Sequence, residues 1–156
     1  MIRRSLLACG AIAAMGLALA AGDAVAQSAK DLVGTWTVVS APGIGPNPMG
    51  MVMFDANGRF LQLLLRPDLP KYASNNRMQG TPEENKAAVH GNISAFGTYT
   101  INPDGSVTLR IVGSSFPNWN GTDQKRLIEV SGDQMKYTNP AASIGGSASN
   151  ILTRAK

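Results

Sequence analysis

Few side chains in this chain could carry a reaction. His90 is the single histidine and Cys9 the single cysteine among 156 residues. His90 is therefore the one side chain whose ordinary titration falls near neutral pH. Tyr99 offers a phenol, while Arg66, Arg110 and Arg126 are cations inside or at the edges of apolar segments. An arginine facing a cavity would bind a carboxylate or another anion, whereas one facing outward is a solvated charge. Period-two alternation sets Arg110 on the face opposite Leu109 and Ile111, and for Arg126 both faces stay open. Tyr99, Phe116 and Trp119 are the aromatic candidates for a pocket wall, with core or rim packing as the plainer role. His90 ends a short capped segment, where a cation suits the negative terminus of a helix; a ligand-facing imidazole is the alternative. One imidazole rarely holds a metal alone, so no metal ligands, cofactor or catalytic residues are assigned.

Other motifs fail on spacing. Gly43-Ile44-Gly45 begins like a dinucleotide loop, but Pro48 stands where the third glycine belongs. Asp55-Ala56-Asn57-Gly58 begins like a calcium loop, yet Arg66 occupies the closing glutamate position. No Gly-x-Ser-x-Gly is present. Basic residues are scattered rather than striped, which excludes a nucleic-acid face.

The N-terminus supplies an address. Arg3 and Arg4 precede an apolar run from Leu6 to Ala21, and Ala24-Val25-Ala26 precedes Gln27. That is the layout of an export signal cut after Ala26, leaving residues 27–156 as one periplasmic or secreted domain. Leu6-Leu7-Ala8-Cys9 has the look of a lipoprotein box, but the apolar stretch follows Cys9 instead of preceding it. Arg3-Arg4 also makes a weak twin-arginine pattern. The run is too short and too rich in alanine and glycine to span a membrane comfortably. Cys9 leaves with the signal, which suits an oxidising compartment and excludes disulfides, zinc fingers and thiol nucleophiles.

The elements that must position the candidates are short and β-rich. Leu32–Ser40, Met49–Asp55, Arg59–Arg66, Asn92–Ile101, Ser106–Val112, Lys125–Val130, Met135–Thr138 and Ser149–Arg154 read as eight strands. Ala56-Asn57-Gly58, Asn102-Pro103-Asp104-Gly105 and Ser131-Gly132-Asp133-Gln134 read as tight antiparallel turns. One helix interrupts them: Thr81-Pro82-Glu83-Glu84 is a capping box with proline at the first helical position, and Gly91 ends it. Ala141–Ala148 is a small-residue loop. Eight such strands form a sandwich or close into a barrel, and a barrel of this size has room for side chains or one small ligand.

Gly34-Thr35-Trp36, with Arg66-Pro67-Asp68, Gly80-Thr81-Pro82-Glu83-Glu84-Asn85, Phe96-Gly97-Thr98-Tyr99, Phe116-Pro117-Asn118-Trp119 and Gly121-Thr122-Asp123-Gln124 before Arg126, resembles the small lipocalin-like domain family of the calycins. The resemblance implies an all-β, eight-stranded antiparallel lipocalin-like barrel with one short helix. It also implies that Trp36 plugs the closed end and that Arg154 packs across it. On this reading the domain binds a small, largely apolar molecule in its interior, with Arg66, Tyr99, Phe116, Trp119 and Arg126 as ligand-binding candidates. Met51, Met53 and alternate residues of Phe60–Leu65 would line the interior or pack beside it. Two alternatives stand: a cofactor-free isomerase, cyclase or hydratase acting through Tyr99 or His90 with Arg126 or Asp123, and a filled barrel acting through its surface.

Overall fold

The computed structural model describes residues 28–156, so the expected signal segment Met1–Ala26 lies outside them. Eight antiparallel strands close into one barrel, β1 (Gly34–Ser40), β2 (Met49–Phe54), β3 (Arg59–Leu65), β4 (Asn92–Ile101), β5 (Val107–Ser114), β6 (Asp123–Ser131), β7 (Gln134–Asn139) and β8 (Ala148–Arg154), each beside its neighbour in sequence. The single exception is the seam, where β1 pairs with β8 and Trp36 lies opposite Arg154.

Turn chemistry sorts the two ends of the barrel. At one end β2–β3, β4–β5 and β6–β7 are joined by tight turns in which Gly58, Gly105 and Gly132 take the positive φ that a hairpin demands. The four long connections, 41–48, 66–91, 115–122 and 140–147, all gather at the other end. The second of these carries α2 (Pro82–His90). Thr81 accepts from the Glu84 amide and the Glu84 carboxylate accepts from Thr81, so both halves of the capping box form.

The tight-turn end is sealed. Before β1 the chain makes a single helical turn, α1 (Ala29–Leu32), closed by a second capping box between Ser28 and Asp31. The Trp36 indole is fully buried and donates to the Leu32 carbonyl at 2.9 Å. Arg154 lies 4.1 Å over the indole ring and donates to the Val33 and Asp31 carbonyls, with Asp133 3.6 Å from its Nε. Gly34 makes room for this clasp: at φ +137°, a Cβ there would stand 2.9 Å from the Arg154 Nη1. Leu32, Val52, Phe54, Met135 and Leu152 complete the packing around the plug.

One expectation about the wall is corrected. Val52, Phe54, Phe60, Gln62 and Leu64 point inward, so Met51 and Met53 point out and are exposed. Met53 pairs with Leu61, itself opposite Phe96, which gives the outer surface of β2, β3 and β4 an apolar stripe. Met-Gly-Met-Val-Met-Phe is apolar at both phases, so alternation alone carries no polar mark telling inside from outside.

Candidate ligand cavity

Within the barrel a cavity of about 640 Å³ opens toward the long connections. That volume suits one small molecule. Its wall is mostly apolar: Leu64 from β3, Ile93 from β4, Phe116 and Trp119 from the β5–β6 connection, and Ile44 and Ile144 from loops. Pro117–Trp119 form a 3-10 turn that folds back over the barrel, setting Phe116 edge-on to Trp119 with ring centroids 5.8 Å apart. Val89 and His90, at the end of α2, and Ala142 and Ser143, from the 140–147 loop, border the mouth.

The rest of the lining is polar and built from strands. Gln62, Tyr137, Asn139 and Asn150 are buried and line the cavity. They fall on the inward phase of β3, β7 and β8, in line with Phe60, Met135 and Leu152. The Tyr137 hydroxyl donates to Gln62 Oε1 at 2.8 Å and accepts from Arg126 Nε at 3.0 Å. Arg126 Nη1 donates to Asn139 Oδ1 at 3.0 Å and to the Lys125 carbonyl at 2.8 Å. Asn139 is fixed in turn, since its Oδ1 also accepts from the Ala141 amide. Burial pushes the Tyr137 phenol up from its ordinary value, with the Arg126 charge and hydrogen bond opposing that rise.

Arg126 is the centre of this cluster. Only 1% of it is exposed, and its guanidinium stands 5.6 Å from the Trp119 ring and 5.7 Å from the Tyr137 ring. Among the described residues its Nη2 has no hydrogen-bond partner.

Phe116, Trp119 and Arg126 are thus brought together; the other two candidates lie elsewhere. Arg66, just past the end of β3, grips Asp68 through two parallel hydrogen bonds of 2.9 and 2.7 Å at the surface. Tyr99 points inward near the sealed end, where its ring meets Phe54 edge-on at 5.1 Å and its hydroxyl donates to the Asp55 carbonyl. Burial, and then the nearby Asp55 charge, raise its phenol. Arg110 faces outward against Asp123. Sequence reasoning passed over Tyr137, Asn139 and Asn150, although each sits two residues from a buried neighbour on the same strand face; Gln62 and Leu64 fall among the alternate residues of Phe60–Leu65 expected to line the interior. Among the described residues no three His, Cys, Asp or Glu side chains come together as a metal site.

Comparison with known proteins agrees with this geometry. Residues 33–156 match a family described as a lipocalin-like domain. A protein of Aspergillus oryzae named 4'-hydroxy-3'-methoxypropiophenone carrier protein is 28% identical over 99 residues, covering 58% of this chain and 89% of that protein.

Proposed function

The chain belongs to the lipocalin-like domain family, and we propose that it is a carrier holding one small, largely apolar molecule inside the barrel. The observation that carries this reading is the 640 Å³ cavity, walled by Phe116, Trp119, Leu64 and Ile93 and open at one end. A cavity of that shape removes apolar ligand surface from water while a few polar groups orient it. The Aspergillus relative is named as the carrier of a substituted aromatic ketone, and an apolar ring with peripheral oxygens suits a wall of this composition.

Carriage accounts for the polar groups better than catalysis does. Of the cavity's titratable side chains, Tyr137 is engaged on both sides, donating to Gln62 and accepting from Arg126, and burial raises its phenol. A phenol so held is a poor base at neutral pH. His90 stands at the rim, apart from this cluster. A filled barrel acting through its surface lacks its premise while the interior is open. We further propose that the carrier is exported by Met1–Ala26 and works in the periplasm or outside the cell; the mature mass, read at the N-terminus, tests the cut after Ala26.

Native mass spectrometry of protein purified from its own compartment tests carriage. A small molecule that co-purifies and is released on unfolding supports the reading. Protein that arrives empty and also fails to take up a neutral apolar fluorophore such as N-phenyl-1-naphthylamine overturns it.

A further inference from the structure

Carriage alone does not explain Arg126. An arginine with 1% exposure and an Nη2 that has no partner among the described residues carries a large desolvation cost unless an opposite charge offsets it. No ion pair of Arg126 occurs among the described residues, and no aspartate or glutamate lines the cavity. Its other nitrogens are spoken for by Tyr137, Asn139 and the Lys125 carbonyl, none of them charged. Tyr137 and Asn139 are both cavity lining, so the guanidinium lies directly beneath the floor. An uncompensated cation at the low-dielectric end of an apolar cup sets up a positive potential there, little screened by salt.

Building on the carrier reading, we propose that the ligand has an acidic oxygen, a carboxylate in its simplest form, on an apolar body. The acid enters first and seats on the floor formed by Tyr137 and Asn139, above the Arg126 guanidinium. The apolar body stays against Phe116, Trp119 and Leu64. The Arg126 charge attracts the acid from beneath the floor, and the Asn139 amide and Asn150 offer donors on the cavity side. Two features of the cluster suit this role. Gln62 and Gln124 hold the ends of the network without adding charge, so the arginine is oriented but not neutralised. The Trp119 ring that faces Arg126 also lines the cavity, so the acid and the apolar body are held on adjoining parts of one wall.

The test compares matched probes on the unsubstituted domain at neutral pH: 4-phenylbutyrate and its methyl ester, followed by titration calorimetry, with N-phenyl-1-naphthylamine as a neutral control. The acid is expected to bind on the order of tenfold tighter than the ester. In Arg126→Met the two should bind within about threefold of each other. An ester that binds the unsubstituted protein as well as the acid overturns the acid proposal, and uptake of the neutral fluorophore then leaves the carrier reading standing. If neither probe nor the fluorophore binds, both readings fall. The acid-to-ester ratio is read without any change at Arg126, so it decides the matter even if Arg126→Met does not fold.

Discussion

Two arginines, each set over a tryptophan, mark the two halves of the barrel. At the sealed end Arg154 lies 4.1 Å over Trp36, and every contact it makes ends in a partner: two backbone carbonyls, Asp133 and the indole face. In the cavity floor Arg126 lies 5.6 Å from Trp119, more deeply buried, with no acid beside it and one nitrogen unpartnered. The same pair of residue types serves opposite ends. The first pair is complete and holds the barrel together; the second is incomplete and leaves binding capacity to spare. A cation–π contact therefore does not by itself say whether an arginine is structural, but the list of its remaining hydrogen-bond partners does.

That contrast can be broken in graded steps. Trp36→Ala removes a fully buried plug and should cost about 3–5 kcal/mol in chemical denaturation, and a loss below about 1 kcal/mol would remove Trp36 from the centre of the sealed end. Arg154→Met strips two carbonyls of their donor and should cost about 1–3 kcal/mol, measured the same way, with no change in the acid-to-ester ratio. Trp119→Ala should cost less than Trp36→Ala, because its ring packs from a connection at the cavity wall and not within the sealed end, yet it should weaken uptake of apolar probes. Arg126→Met should cost less than Arg154→Met, since removing an uncompensated buried charge offsets the loss of its bonds to Tyr137, Asn139 and the Lys125 carbonyl. A large destabilisation there would make Arg126 a second Arg154.

The smallest effect concerns the mouth. Hydrogen bonds from the Ala73 and Thr81 amides hold the Glu84 carboxylate below its ordinary value of 4.5. A depressed carboxylate contributes stability that is present above the ordinary value and is lost as pH falls through the lowered one. Protection of the Ala73 and Thr81 amides, taken relative to the intrinsic exchange rate at each pH, should therefore fall on acidification below 4.5, while Trp36 stays protected. Equal loosening at both ends would contradict an independently held mouth.

Much of the scaffold was legible because its signals are local. Gly58, Gly105 and Gly132 each mark a turn that only a positive φ can make, and Thr81 with Glu84 marks a helix start. Ser28 and Asp31 carry the same local signal for α1, which takes in Leu32, the residue read from the sequence as the start of the first strand. The cavity floor was harder to read. Tyr137, Asn139 and Asn150 come from strands β7 and β8, and Gln62 from β3, which touch only when the barrel is closed. Asparagines near turns look like turn formers. Arg126 stayed ambiguous for the same reason: its face is fixed by Tyr137 and Asn139 across the β6–β7 ladder, not by its own segment.

The seam has a consequence for synthesis. Every other strand pair joins neighbours in sequence, but Arg154 reaches a carbonyl 121 residues earlier, at Val33. Until the strand bearing Arg154 has emerged, the first seven strands can form only an open, curled sheet with two unpaired edges. Such edges can template pairing with other chains, and the closing contact spans the longest loop in the fold, which makes it slow. A premature stop before Ala148 would thus leave more than a shortened carrier; it would leave a sheet whose free borders favour aggregation.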